Sequence, residues 1–360
     1  IIAQPWSNGR IGVYGQSFGA YTAYTALATH HRALKAAFVA SVPLHPYETV
    51  GYPNGLYAKG FAENYIALTD DLDNLATVTN DEDAHELLTK AIANRSKERF
   101  SDQIADIFRS SPNKEMPSKK YSLSWAELSA EPIIERAANS NVPVFVIGGW
   151  LDMFINDTIE AHNLNKAPSR LVLRPWHHHP LFQPFADMDP AADAQLWFDI
   201  WLKEKGTYPY PSKRVDYFQH STDVGVRDQG QWCNTESWPI EGAVQTRLEL
   251  QSVAGSDAQS APITGKTGTS GINSRWNGVL GTGIYASMQE LNPDALQIET
   301  ALFKAPVEIA GNMSVTFQLQ NMLSGTAIHA ILEHVSSKGQ ANYLAEAMTR
   351  ISAEQSNVKM

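Results

Sequence analysis

A chain of 360 residues is long for one domain and sufficient for two, each with its own core. Its 38 acidic and 28 basic residues leave a formal charge of −10, which repels phosphate backbones and argues against nucleic acid as a partner. An apolar fraction of 43% with 9 Trp excludes a disordered chain, and Cys233 as the single cysteine excludes an intrachain disulfide and a cysteine zinc cluster.

The longest apolar run, Val142 to Trp150, is strand-sized and bracketed by Pro and Gly, so no membrane partner is expected. Localisation is left open. One cysteine does not decide the redox compartment, and a signal peptide would stand upstream of Ile1.

In chain order, Arg10 to Tyr14 (RIGVY) predicts a strand and Ala20 to Thr29 the helix after it. Leu34 to Val42 reads as a second buried strand ended by Pro43, with Val142 to Ile147 and Leu171 to Leu173 as the third and fourth. Short apolar runs alternating with helices point to a parallel sheet. Between the second and third strands lie roughly a hundred residues, against the usual connection of about 2 to 6. This stretch predicts a helical cap over the C-terminal edge of the sheet. Within it, Asp81 to Arg95 carries Ala84, Leu87, Leu88, Ala91 and Ile92 on one helical face, and Pro132 to Ala138 forms a short helix leading back.

After the fourth strand, Asp189-Pro190 opens a helix as N-cap and first-turn proline, with Leu196, Trp197, Ile200 and Trp201 at helical spacing before Gly206. Tyr208-Pro-Tyr-Pro211 then reads as a linker. Beyond it the chain turns to short strands and Gly/Ser/Asn turns. Val315, Phe317 and Leu319 alternate, as do Ile328, Ala330 and Leu332, which predicts an all-β sandwich or jelly roll. The expected class is α/β: a partial α/β-hydrolase sheet over residues 1–48 and 141–207, a helical cap over 49–140, and a β jelly roll over 212–360.

Gly15-Gln16-Ser17-Phe18-Gly19 fits G-x-S-x-G directly after a strand and before a helix. In that setting a sharp strand-to-helix turn lifts a serine hydroxyl clear of the sheet, and the Phe18 N–H points toward a developing oxyanion. A serine at neutral pH needs a base and an orienting carboxylate. Asp152 follows the third strand in GGWLD, and His177, His178 and His179 follow the fourth in RPWHHH, in the order Ser, acid, His that this architecture uses. Other readings of these residues exist. Asp152 is also placed as a helix N-cap would be, Asp157 is a nearby carboxylate, and three histidines can bind zinc, although neither Cys nor H-x-x-x-H spacing accompanies them.

QPWSNGRIGVYGQSFGAY, VPVFVIGGWLDMF and LVLRPWHHH together resemble the catalytic blocks of the cocaine-esterase and X-Pro dipeptidyl-peptidase group, including the α-amino-acid ester hydrolases, known as CocE/NonD hydrolases. ALFKAPVEIAGNMSVTFQL resembles their jelly-roll part, so the resemblance spans nearly the whole chain. It implies Ser17 as nucleophile, Asp152 as acid, His178 as base, and neither cofactor nor metal. His177 and His179 have no counterpart role. The family commonly has Ser-Tyr-x-Gly at the elbow where this chain has Ser17-Phe18-Gly19-Ala20.

Family members selective for an α-amino group surround it with carboxylates, some just after the catalytic acid. Here those positions are Met153, Phe154 and Ile155, which favours a neutral or apolar acyl group. Trp150, Met153, Phe154 and Trp176 are the expected pocket residues. The expected substrate is a small ester or a short peptide, homo-oligomerisation is compatible with the sequence, and a non-catalytic binding protein of the same fold is the remaining alternative. The family takes its second oxyanion donor from an upstream tyrosine. On this resemblance the chain is expected to be the later part of a longer protein, lacking the start of the sheet and the end of the jelly roll and impaired in isolation.

Overall fold

Val39, Val144, Val146, Leu171 and Leu173 fall at alternate positions along their strands, and Phe38, Phe145, Ile147 and Val172 fill the positions between them. Strands with both faces apolar must be covered on both sides, which requires helices above and below a parallel sheet. The computed structural model describes residues 1–74, 82–95, 100–110, 113–129, 131–178, 188–220, 230–248, 251–252, 298–300, 302–318, 325–336, 339, 341–351 and 357–359.

Six strands form one sheet in chain order: β1 Ile11–Gln16, β2 Leu34–Ala40, β3 Val144–Gly149, β4 Ser169–Arg174, β5 Lys213–His220 and β6 Gly230–Thr235. The first five are mutually parallel, and β6 returns antiparallel to β5. Helix α1, Phe18–Ala26, follows β1. Between β2 and β3 a π-helical turn, Pro46–Gly51, and a 3-10 turn, Pro53–Gly55, precede α2 Lys59–Asn74, α3 Glu82–Arg95, α4 Phe100–Ser110, α5 Trp125–Leu128 and α6 Glu131–Ala138. Helix α7, Ile155–Leu164, links β3 to β4, and α8, Pro190–Lys203, links β4 to β5. On one face of the sheet α1, α6 and α7 bury Tyr24, Ile134 and Ala161, while Ala194 and Trp197 of α8 cover the other.

The predicted strands and helices of the sheet are all present, shifted by a few residues at their ends. Asp189 caps α8 as expected, its carboxylate accepting the Ala191 N–H at 2.9 Å. In α3 the apolar face is narrower than its spacing implies. Ala84, Leu88 and Ile92 are half-buried, but Leu87 is exposed. The cap packs around a second core, in which Trp125 meets Phe108 edge-on at 5.0 Å and Tyr52 donates to the Phe108 carbonyl.

The linker before residue 212 does not end the sheet: it leads into β5, which lies beside β4 with Val215 opposite Leu171. Strand β4, helix α8 and β5 form a right-sized crossover unit, and the burial of Val215 and Tyr217 extends the first core to a fifth parallel strand. The remaining described strands are β7 Gln251–Ser252 with β8 Ile298–Glu299, β9 Thr316–Gln318 with β12 Asn357–Lys359, and β10 Ala327–Val335 with β11 Ala341–Arg350, all antiparallel pairs. They make the C-terminal segment a β domain. The jelly-roll winding expected there falls largely on residues 253–297, outside the described ones, as does Leu319. Strand β11 rests against the Pro53–Gly55 turn, and its Met348 packs on the cap core.

Strands β4 and β5 are also joined by charge. The Arg170 Nε donates to Asp216 Oδ2 at 2.8 Å and its Nη1 reaches Asp193 Oδ1 at 3.3 Å, with the guanidinium 5.0 Å from the centre of the Phe145 ring. Arg214 takes the other oxygen of Asp216. Removing Arg170 from this mostly buried cluster would leave Asp193 without its cation and Asp216 with Arg214 alone. Replacing Arg170 by Ala should therefore cost about 3 kcal/mol in denaturant unfolding followed by tryptophan fluorescence; a loss under about 1 kcal/mol would mean that the charge cluster adds little to the backbone pairing and apolar packing that hold β5.

Candidate active site

β1 ends at Gln16, and Ser17 takes φ 57° and ψ −125°, a left-handed conformation that an L-residue adopts only at a cost of about 1–3 kcal/mol. The chain thereby turns straight into α1, with Ser17 at its N-cap and making no side-chain cap bond. Its N–H is anchored instead to the Ala40 carbonyl at the end of β2, at 3.0 Å. At Gly15 the turn is tight: a Cβ would stand 2.1 Å from the Gly19 carbonyl oxygen. Gly19 differs, since a Cβ there would meet nothing within 4 Å. Of the two glycines in the motif, the first is demanded by close backbone approach. Gly15→Ala should cripple folding or the elbow geometry, whereas Gly19→Ala should leave the thermal midpoint unchanged or slightly raised, as helix propensity favours Ala; differential scanning calorimetry of the two variants distinguishes them.

The loops after β3 and β4 are stitched together. Trp150 N–H donates to the Arg174 carbonyl at 2.8 Å and Leu151 N–H to the Trp176 carbonyl at 3.0 Å. A Cβ on Gly149 would sit 2.2 Å from that same Trp176 oxygen, so the approach needs glycine. This pairing sets the Asp152 and His178 side chains face to face. His178 Nδ1 lies 2.9 Å from Asp152 Oδ1, and His178 Nε2 lies 2.8 Å from Ser17 Oγ. Both Asp152 and His178 are buried, at 1% and 2% exposure, while Ser17 is half-buried.

Burial opposes ionisation of Asp152, but the His178 imidazole, the Ser41 hydroxyl and the Phe154 N–H outweigh it and hold the carboxyl below its ordinary value. An ionised Asp152 can only accept, so Nδ1 of His178 carries the proton and Nε2 is free to accept from the Ser17 hydroxyl. The three groups form a directed relay. It can take the Ser17 proton as Oγ attacks an electrophilic carbon. Phe18 opens α1, where the first N–H groups have no acceptor within the helix, and its ring is exposed and stacks on Tyr21 at 6.2 Å. The amide is available to an oxyanion.

Asp157 lies elsewhere. Its Oδ2 accepts from the His45 N–H at 3.0 Å and the Thr49 hydroxyl at 2.8 Å, and burial pushes its carboxyl up to about 6. Two carboxylates five residues apart thus shift in opposite directions: the partners of Asp152 outweigh its burial, and those of Asp157 do not. Nor is Asp152 the N-cap of α7, a position held by Phe154; Asp152 Oδ1 accepts the Phe154 N–H in a short turn before it.

Among the described residues His45 brings a ligand-type atom within 4.8 Å of Asp157 and Glu160, or of Glu48 and Glu131. His45 Nε2 is bonded to Glu160 at 3.1 Å, which leaves those atoms engaged with each other. His177 is buried beside His178, and His179 lies outside the described residues.

The expected pocket residues separate. Phe154, at 1% exposure, sets its ring edge-on to His178 at 5.0 Å, and Met153 packs with it into the cap core, so these two meet the relay from the cap side. Trp176 does not line a pocket: two residues past the end of β4, it is fully buried under α8 with Phe145 and Trp197. Trp150 meets Trp238 at a tilt, ring centres 5.3 Å apart, and donates to the Phe218 carbonyl, which assigns it to packing against β5. Ile155 likewise joins the core beneath α7. Two residues that motif reading missed hold the His178 backbone: its carbonyl accepts from Gln16 Nε2 at 3.1 Å and from Ser41 Oγ at 3.2 Å. Gln16 could have been found as the variable position of the G-x-S-x-G motif; Ser41 carried no sequence signal.

The raised carboxyl of Asp157 has a pH signature. Its folded value lies above the ordinary 3.8, so its contribution to stability is complete below about pH 4 and is lost as the pH rises through about 6. Asp157→Asn retains an acceptor for His45 and Thr49 but does not titrate. The stability of the parent relative to Asp157→Asn should fall by roughly 2 to 3 kcal/mol between pH 4 and pH 6.5 in urea unfolding; a difference constant across that range would contradict the shift.

The description "X-Pro dipeptidyl-peptidase (S15 family)" belongs to a family model that matches residues 1–180, and "X-Pro dipeptidyl-peptidase C-terminal non-catalytic domain" to one that matches residues 211–359. A Mycobacterium bovis protein named as a serine esterase is 22% identical over 408 residues, covering 97% of this chain and 63% of that protein. The cocaine esterase of a Rhodococcus species is 21% identical over 401 residues, covering 98% and 67%. In fold, an α-amino acid ester hydrolase structure matches with a TM-score of 0.61 at 16% identity, over 98% of this chain and 66% of the other. The chain spans about 63% of the length of the first of these relatives. Among the described residues no helix is long and apolar enough to cross a membrane.

Proposed function

The chain belongs to the S15 family of X-Pro dipeptidyl-peptidases, and from that premise we propose that it carries the catalytic centre of a serine hydrolase that cleaves esters through an acyl-enzyme on Ser17. The observation that carries this reading is the continuous bonding from Ser17 Oγ through His178 to a buried, ionised Asp152 at 2.8 and 2.9 Å. A non-catalytic protein of this fold has no need to hold a serine in a strained backbone within hydrogen-bond distance of an imidazole.

In the proposed reaction Ser17 Oγ attacks the substrate carbonyl carbon while its proton passes to His178 Nε2. The Phe18 N–H stabilises the tetrahedral oxyanion. Collapse breaks the ester C–O bond, and His178 returns the proton to the departing alcohol. Water then attacks the acyl-enzyme, giving its proton to the same imidazole, and the acid leaves as Ser17 is reprotonated. Asp152 orients the ring and stabilises its charged form. The apolar edge of Phe154 against His178 and the packing of Met153 beside it favour a neutral or apolar acyl group over a cationic one. The hydrolase core then comprises residues 1–48 and 141–235, with 49–140 as its cap and the later residues as a β domain.

The family description favours a second reading, cleavage of X-Pro dipeptides from peptides. Parallel assays with p-nitrophenyl esters and X-Pro-p-nitroanilides separate the two, and faster turnover of the anilides would reverse the preference. Ser17→Ala should abolish labelling by a fluorophosphonate probe, and Asp152→Asn should lower kcat by about 10⁴-fold by losing the required tautomer. Undiminished labelling of Ser17→Ala would remove the assignment.

A further inference from the structure

The geometry points to Ser41 as a positioning residue that holds the base and the acid of the relay in register. The inference rests on the reading of Ser17 as nucleophile. Ser41 is the residue after β2, fully buried, with its N–H bonded to the Ile147 carbonyl of β3 at 3.0 Å. Its single hydroxyl proton donates to the His178 carbonyl at 3.2 Å, and the Asp152 carboxyl beside it is a second acceptor for that same proton. The preceding residue, Ala40, accepts the Ser17 N–H. Two consecutive residues at the end of β2 therefore touch every member of the relay: Ser17 through Ala40, and His178 and Asp152 through the Ser41 side chain.

The backbone sharpens the argument. Ser41 has φ 52°, a left-handed value at which glycine would be relaxed and serine is strained. If only the turn mattered, glycine would serve better there. A serine held against that strain, with no access to water and its hydroxyl aimed at His178, is explained by the hydroxyl. The His178 loop receives a second tether from Gln16 on β1, so the imidazole is fixed from two strands at once. Substrate has no route to Ser41, which acts only through His178 and Asp152.

Ser41→Ala and Ser41→Gly in the full chain separate hydroxyl from backbone. Both should lower kcat for a p-nitrophenyl ester and the rate of fluorophosphonate labelling by about tenfold, the size expected for one buried hydrogen bond, with KM within twofold of the parent. Ser41→Gly should at the same time keep or raise the thermal midpoint, because the strain is relieved. A purely structural residue would give parent rates in Ser41→Gly, and parent rates in either variant overturn the proposal. The low-field proton resonance of the His178 Nδ1–H, assigned by its loss in His178→Gln, supplies a readout independent of turnover. It should move in Ser41→Ala and stay in place in Ser17→Ala; an unmoved resonance in Ser41→Ala also overturns the proposal. If the parent fails to label but the resonance moves, the positioning role stands and the hydrolase reading falls.

Discussion

A carboxylate taken out of water must find partners or give up its charge, and Asp152 has found them. Desolvation at 1% exposure is opposed by the imidazole of His178, a backbone N–H and the nearby hydroxyl of Ser41, so the group stays ionised. Its charge dictates the His178 tautomer, and the tautomer dictates that Ser17 is the donor at the far end. The direction in which a proton can move between groups 26 and 161 residues apart in the chain follows from this one buried charge. Asp157, also buried, has partners in His45 and Thr49 that do not offset its desolvation, and it is pushed the other way.

Holding such a pair demands a rigid surround, and the sheet supplies it at its C-terminal edge. Strands β1, β2, β3 and β4 end side by side, each delivering one part: Ser17, then Ser41, then Asp152, then His178. Close backbone contacts at Gly15 and Gly149 let the loops fold over that edge without intervening side chains. The strain at Ser17 and Ser41 is tolerated because neighbouring strands fix both backbones by hydrogen bonds. Above the edge, Phe154 in the loop after β3 touches His178 and packs with Met153 into the cap core, which β11 also reaches through Met348. The β domain and the cap are thus in contact near the reacting groups.

The far side of the sheet serves stability. Phe38, Phe145, Trp176 and Trp197 form an aromatic layer under α8, with Phe38 and Phe145 stacked at 4.7 Å and Trp197 edge-on to Phe145 at 5.5 Å. Arg170 spans from this layer to Asp216 and binds β5 to β4. That explains why a strand lying beyond a proline-rich linker nonetheless belongs to the first sheet.

Much of this was readable along the chain. Short apolar runs located β1 to β4 and helical spacing located α8, and the order of serine, aspartate and histidine after successive strands named the three groups that the structure brings together, since each is placed by a local strand-loop junction whose signal is local. What the sequence could not reveal depended on neighbours distant in it. The fifth strand was hidden because Val215 and Tyr217 are buried by partners more than forty residues away. The indole of Trp176 packs under α8 with Phe145 and Trp197, a position that only the assembled sheet makes visible. Ser41 carries no motif, and its role comes wholly from meeting His178 across 137 residues. The sequence by itself determined which residue types end each strand; the tertiary structure decided which of them touch, because hydrogen bonds between strand ends depend on the lateral order of strands, and that order is a property of the packed sheet.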